Sequence, residues 1–448
     1  MPAGGGLLQL VAVGKQDAFL TGNPQISFFK MVYRRHTNFA MESQPMYFDG
    51  TSNFGNRITC LIPRRGDLLG RVYLDVVLPQ LKDTSGNPLS YTNSIGHALI
   101  QEISFEVGEQ EIDRQTGEWM EVWTQHTTPA SQRFALNEMI GRVEPYNVID
   151  ITPAASSDGL HLLIPLQFYF CRNPGSYLPL LALQYSPIRI NITLRPLQQL
   201  FWVSPPPLQD ANWLPACSTS VDCTTQIKSM LLWGDFVYLD VEERRQFVSQ
   251  THEYLIEQVQ YTPPFSVTSN QNTVSIPIEF NHPIKEFFFM VQRDSMQNRN
   301  EWFNYSNLAI GEYTAPQILP YLNSNAPASR IDMINTAKLQ LDGYDRFMDR
   351  SPQYFRLQQP YEHHTATPIN SFIYNYSFAL RPEDIQPTGS MNASRIDSIV
   401  WQLQMNTVLT NPTITPWQQR GNCSIKVYAH NYNVFRVING FGGLLFTI

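Results

Sequence analysis

Few stretches of this chain could do chemistry, and each has a plain structural explanation beside the functional one. Arg65-Gly66-Asp67 has the form of an adhesion tripeptide. A tight turn between two strands accounts for the same residues, with Gly free to take φ > 0 and Asp bonding the turn, and the turn is the expectation. Lys30-Met-Val-Tyr-Arg-Arg-His36 could hold phosphate. Contact with acidic neighbours or minor proteins is the better reading of it. His363-His364 and the pair Cys217 and Cys223 are metal-ligand types, but neither has the Cys-x-x-Cys or His-x-x-x-His spacing that aims two donors at one ion. Both pairs are expected in exposed loops.

Asn-x-Ser/Thr sequons stand at Asn191, Asn304, Asn375, Asn392 and Asn422. Asn191 and Asn375 read as strand and Asn392 as part of a short connection. That leaves Asn304, inside a long loop, as the candidate glycosylation site. Nothing resembles a Ser-His-Asp set, a phosphate loop or a nucleophile elbow. No catalytic, cofactor-binding or metal residue is therefore assigned, and no cofactor is expected.

The elements that would carry these residues are almost all strands. Ile58–Ile62, Val72–Leu78, Ile103–Val107, Leu162–Phe170, Ile188–Leu194 and Phe236–Val241 are short, β-branched or aromatic, and bounded by Gly, Pro or Asn. Thirty-two prolines and 24 glycines punctuate them. Helical periodicity is weak, with Gly117–Gln125 and Ala130–Ile140 the better candidates. The pattern is an all-β sandwich with long loops.

The chain also repeats itself. Ile103-Ser-Phe-Glu-Val-Gly-Glu-Gln-Glu-Ile-Asp-Arg114 resembles Lys338-Leu-Gln-Leu-Asp-Gly-Tyr-Asp-Arg346: alternating apolar residues, a Gly turn, then Asp-Arg. Ile58–Ile62 matches Val274–Phe280, Leu166–Phe170 matches Tyr376–Leu380, and Val237–Phe247 matches Val427–Val437, in the same order along the chain. Each half yields eight strands, the number in a jelly roll. In the first half they lie near 37–48, 56–62, 68–78, 99–107, 110–115, 160–171, 186–195 and 234–242. In the second they lie near 254–263, 273–280, 284–291, 336–342, 344–348, 371–381, 394–405 and 422–432. The expected division is an N-terminal arm (1–26), a first jelly roll (27–243), a linker (244–252) and a second jelly roll (253–448). Long connections at 116–159, 196–233, 292–335 and 349–370 should crowd one end, because successive turns of an antiparallel key alternate ends.

Composition bounds what such a body can do. A chain of 448 residues with 43% hydrophobic residues has material for two cores. Only 15% of residues are charged, so much of the surface is expected to be polar or covered by neighbours. The net charge of −7 speaks against nucleic-acid binding. Residues 1–71 carry eight basic and four acidic residues, so that segment is +4 and the rest −11. Five unpaired-looking cysteines fit free thiols in a reducing compartment. The absence of a basic segment before Leu7–Val13 argues against a secretory signal. No apolar run reaches the ~18 residues of a membrane span.

Leu20-Thr-Gly-Asn-Pro-Gln-Ile-Ser-Phe-Phe-Lys-Met-Val-Tyr-Arg-Arg-His-Thr-Asn-Phe-Ala-Met-Glu-Ser43 resembles the N-terminal signature of major capsid proteins of nucleocytoplasmic large DNA viruses, in their phycodnavirus and mimivirus-like branch. His252–Gln258, Asn281-His-Pro283, Leu339–Phe347, Ser377–Pro382, Ser394–Asp397, Tyr428–Val434 and Gly440–Leu444 fit the same family, so the resemblance spans the chain. It implies a double jelly-roll, two consecutive eight-stranded antiparallel sandwiches with a few short helices. It further implies homotrimers forming pseudo-hexagonal capsomers of an icosahedral outer shell. The expected partners are neighbouring capsomers, minor capsid and penton proteins and surface glycans, with an internal membrane met only indirectly and no direct nucleic acid. Synthesis and assembly would be in the host cytoplasm, and the protein would not be an enzyme.

Within that reading, apolar Leu7, Leu8, Leu10 and Val11 and basic Lys30, Arg34 and Arg35 are the candidate assembly contacts. A cupin-type enzyme would need His and carboxylates clustered on facing strands, and no such set is visible. The other alternative is a minor capsid or spike-type jelly-roll protein that binds host glycans. Such a protein would be scarce in particles, where a capsid subunit would dominate.

Overall fold

The computed structural model describes residues 4–82, 88–143, 159–202, 225–307, 331–368, 371–410 and 420–447. Met1–Asn38 is one compact unit and Phe39–Ile448 the other.

The larger unit holds two sandwiches of the same topology. In the first, strands β1 (Phe39–Met46), β2 (Arg57–Leu61), β3 (Leu68–Leu78), β4 (Ile100–Val107), β5 (Gln110–Thr116), β6 (Leu160–Pro165), β7 (Ile188–Leu194) and β8 (Ser229–Leu239) form two four-stranded sheets. Their orders are β1-β8-β3-β6 and β2-β7-β4-β5, antiparallel throughout. The second sandwich repeats this with β9 (His252–Tyr261), β10 (Thr273–Ile278), β11 (Pro283–Arg293), β12 (Ile334–Leu341), β13 (Tyr344–Asp345), β14 (Tyr374–Ser377), β15 (Ile399–Met405) and β16 (Cys423–Ile438). Here the orders are β9-β16-β11-β14, widened to seven strands by Phe265–Val267, Met391–Asn392 and Phe441–Leu444, and β10-β15-β12-β13. Both halves are therefore jelly rolls, and the internal repeat in the sequence is a repeat of topology.

The matching turns have matching physics. Gly108 and Gly343, each joining the third and fourth strands of its four-stranded β2-type or β10-type sheet, sit at φ +70° and +80°, where a side chain would be strained. In β10 exposed and buried residues alternate strictly, the mark of a sheet with one wet face. β11 and β16 are instead buried on both faces over nearly their whole length.

Some boundaries differ from the sequence expectation. The strand expected over 160–171 ends at Pro165, with one further bond from the Leu166 N–H to the Val72 carbonyl at 3.0 Å, and Tyr169–Arg172 is a short helix. Leu166–Phe170 thus packs as an aromatic cluster, with Phe168 and Phe170 5.6 and 5.0 Å from Phe105. The strand expected over 371–381 is only Tyr374–Ser377, because Phe378 and Ala379 both donate to the single carbonyl of Lys285. Residues around the expected linker form a helix, α5 (Val241–Ser249), whose first N–H bonds the Asp240 carboxylate at 2.7 Å.

The two helices expected from the sequence are present as α3 (Gly117–Thr127) and α4 (Ala130–Ile140), both in the long connection between β5 and β6. In the smaller unit, α1 (Gly5–Val11) and α2 (Ala18–Thr21) are the helices.

Candidate assembly site

Helix α3 belongs to the first sandwich by sequence and to both by packing. Thr116 caps it, accepting the Trp119 N–H at 3.2 Å. One face looks home. Glu121, fully buried, bonds His97 at 2.7 Å and Arg142 at 2.7 Å. Burial alone would raise the Glu121 carboxyl, but Arg142 and His97 outweigh it and hold it well below the usual carboxylate range.

The other face, at 118, 119, 122, 123 and 126, lies against the second sandwich, one stripe of a helix. Trp119 has no exposed surface and packs against Trp123 (5.7 Å), Phe288 of β11 (5.4 Å) and Tyr428 of β16 (5.7 Å). Beside it, both Glu118 carboxylate oxygens accept from Lys426 of β16 at 2.7 Å, and Tyr428 donates to the same group at 3.2 Å. This is why β11 and β16 are buried on both faces: their inner face fills the second core and their outer face takes α3.

A chain of alternating charges continues the seam. Arg172 of the first sandwich pairs with Glu257 of β9 at 2.8 Å and lies over Trp123 at 4.2 Å. Glu257 also takes Lys285 and, at 3.3 Å, His430; His430 reaches Glu286 at 3.3 Å. Glu286 meets His364 at 2.9 Å, and His364 bonds Glu383 at 2.9 Å on its other nitrogen. Burial opposes charge on His364, but Glu286 and Glu383 prevail and its pKa is pushed up to about 9. His126 of α3 stands 5.1 Å from that ring, and burial with the neighbouring imidazolium pushes it down to about 3. The opposed shifts put the charge on His364 and leave His126 uncharged at neutral pH. Glu257, Glu286 and Glu383 each have a cation, which is what low-dielectric burial demands.

The seam was not foreseen. His364 was expected in an exposed loop, yet its side chain is fully buried between two carboxylates. His364 and His430 do converge with Glu257 and Glu286, but in carboxylate pairs, and His126 beside them bonds the Val122 carbonyl. Among the described residues, no group of three His, Cys, Asp or Glu side chains has metal-holding geometry. The available signals were the unbroken apolar run Phe287–Val291, too apolar for a half-wet strand, and the two Trp four residues apart in a helix.

The other singled-out residues fall as follows. Asp67 is buried, accepts the Leu239 N–H at 2.8 Å and pairs with Arg244 at 3.2 Å, so this tripeptide is a structural turn with its carboxylate inside. Gly66 is needed there for space and not for positive φ: a Cβ would stand 2.9 Å from the Phe236 Cβ. Asn304 is 7% exposed, donates to Glu301 at 2.6 Å and accepts from Ser306 at 2.7 Å, so the candidate glycosylation site is interior and its amide is occupied. Cys60, Cys171 and Cys423 are buried free thiols; burial pushes the first two up to about 12. Cys217 and Cys223 lie outside the described residues, as does much of the long connections.

In the smaller unit, Leu7, Leu8, Leu10 and Val11 are on α1 and are 69–80% exposed. Gly5 and Gly6 are part of that helix. Lys30, Arg34 and Arg35 are exposed, among Phe28, Phe29, Met31, Val32 and Tyr33, each at least 77% exposed.

Known proteins place the chain. Residues 27–240 match a model described as the major capsid protein N-terminus, and residues 243–443 match one described as the large eukaryotic DNA virus major capsid protein. The chain is 38% identical to the major capsid protein of Pyramimonas orientalis virus, covering 99% of this chain and 100% of that one. It is 36% identical to that of Phaeocystis pouchetii virus, with 99% of each covered. Among solved structures, VP54 of PBCV-1 superposes with a TM-score of 0.74 at 30% identity, covering 94% of this chain and all of VP54. The faustovirus major capsid protein shares the fold, with a TM-score of 0.72 at 12% identity. With two sandwiches of one topology, and both family models matched end to end, the chain belongs to the major capsid proteins of large eukaryotic DNA viruses, structural subunits of the virion shell.

Proposed function

We propose that the protein assembles as an obligate homotrimer whose six sandwiches make one pseudo-hexagonal capsomer, and that its role is structural and not catalytic. The observation that carries this is the seam. Two sandwiches locked by α3 and a buried ion chain behave as one rigid body, and three such bodies around an axis present six near-equivalent edges. A low content of charged residues, 15%, suits a surface largely covered by neighbours in an interface of a few thousand Å².

The arm serves assembly in this reading. Leu7, Leu8, Leu10 and Val11, with Lys30, Arg34 and Arg35, join a subunit to trimer partners or to minor capsid proteins beneath the shell. An exposed apolar set of this size usually marks a contact surface. Synthesis and assembly take place in the host cytoplasm, consistent with the reduced thiols, and any internal membrane is met only through other proteins. Light scattering on dilute full-length protein tests the oligomer. A trimer that persists on dilution supports the proposal, and a stable monomer overturns it.

A further inference from the structure

Two concavities of 430 and 480 Å³ adjoin at the end of the first sandwich where the 62–67 turn meets helix α5, and they share Leu181 and Arg244. The first is cationic. Arg64 donates only to the carbonyls of Gln184 and Ser186, and Arg65 only weakly, at 3.4 Å, to Gln44 and the Pro45 carbonyl. Among the described residues neither guanidinium has a carboxylate partner. The second is apolar, walled by Leu181 and by Val248, which is 54% exposed, and Arg245 stands at its rim. Arg245 pairs with Glu242 at 3.2 Å, but both side chains are more than 70% exposed, so solvent screens the pair and it is readily given up.

We propose that this groove binds an acidic peptide segment of a different polypeptide, anchored by an apolar side chain beside Val248. Uncompensated guanidiniums at a preformed site favour carboxylates, which they can hold through two parallel hydrogen bonds. The groove is preformed because Asp67, fixed to Leu239 and Arg244, and the tightly packed Gly66 hold the turn against β8, so little ordering cost opposes binding. Self-docking through the same patch is disfavoured, since a two-fold contact would set arginines against arginines. A lipid surface is a poorer fit, because the arginines line concavities that a peptide can enter and a flat headgroup layer cannot.

The test uses full-length protein and fluorescence anisotropy of a short labelled peptide of alternating Glu and Leu, with an alternating Lys and Leu peptide as control. The arm is retained in every sample, so its own basic residues cancel in the comparison. Two variants that leave the core untouched are measured, Arg65→Glu with Arg245→Glu, and Val248→Asp. The acidic peptide should bind and the basic one should not, binding should weaken with salt, and each variant should lose about tenfold in affinity with an unchanged melting curve. Absent binding, or equal binding to wild type and both variants, overturns the proposal. So does finding that the variants abolish sedimentation with phosphatidylserine vesicles, or self-association in the ultracentrifuge, while peptide binding is unaffected.

Discussion

The seam and the arm are built from the same kinds of residue and use them in opposite ways. Around α3, Trp119, Trp123, Phe288 and Tyr428 are buried, and Glu118, Glu257 and Glu286 each meet a cation. In the arm, Phe28, Phe29, Val32 and Tyr33 stand 79–100% exposed beside exposed arginines. Hydrophobicity by itself does not tell a finished contact from one awaiting its partner. The seam has paired its carboxylates with cations within the chain, while the Trp119 Nε1 and His126 Nε2 stay buried without a hydrogen-bond partner. The arm exposes apolar surface that monomeric proteins rarely leave in water. The first therefore sets the stability of the isolated subunit, and the second should set only what the subunit joins.

That contrast can be broken most directly at Trp119. Trp119→Ala should lower the unfolding free energy by about 4 kcal/mol, read from the urea midpoint, because the surrounding rings cannot collapse into the cavity. A change comparable to that of an exposed residue would mean that the two sandwiches do not depend on α3.

Glu118→Gln should cost about 3 kcal/mol, since Lys426 would be left buried without its carboxylate. Adding Lys426→Met should restore part of that loss, because Arg195, 3.7 Å from the same carboxylate, still lacks it. No recovery in the double variant would show that the pair is not the source of the effect.

The histidines sharpen the picture with pH. His364 has its pKa raised to about 9 in the folded protein, so its contribution is complete below about pH 6.5 and disappears as pH rises through 9. His126 is depressed to about 3, so the folded state gives up stability as pH falls from about 6.5 towards 3. Below about pH 4.5 the depressed Glu286 and Glu257 add to the acid loss. Melting temperature should therefore peak near neutrality, and His364→Gln should flatten the alkaline limb and also soften the acid limb, because His364 helps to depress both His126 and Glu286. An alkaline limb unchanged in that variant would assign the effect elsewhere.

The smallest effect on the subunit should come from the arm. Deleting residues 1–25 should change stability by less than about 0.5 kcal/mol, as for surface changes generally, while the yield of closed particles collapses. Normal particles from the truncated chain would make the arm a frayed terminus and nothing more.

Most of the frame was legible in the sequence because it depends on local signals. Strand period, Gly and Pro punctuation and the repeated Gly turn with its Asp-Arg pair, Asp113-Arg114 and Asp345-Arg346, located sixteen strands to within a few residues at most ends. Misplaced ends had specific causes. β6 ended early where the chain turned into the Tyr169–Arg172 helix, and the bifurcated acceptor at Lys285 cut β14 short. The arm's character was legible too, since an apolar and basic stretch outside the repeat has no core to enter.

The pairing of His364 with Glu286 and Glu383, and of Glu118 with Lys426, belongs to the tertiary structure alone. Those partners are 78, 19 and 308 residues apart, and no periodicity connects them. The same is true of Asn304, whose sequon is readable but whose burial is not, and of Asp67, whose carboxylate turns inward only because β8 ends beside it. Local sequence determines which residues can be strand, turn or helix, because steric and hydrogen-bonding preferences act over a few residues. Which charges are buried, and with whom, is decided only when distant strands meet and exclude water, because the cost of an unpaired charge exists only there.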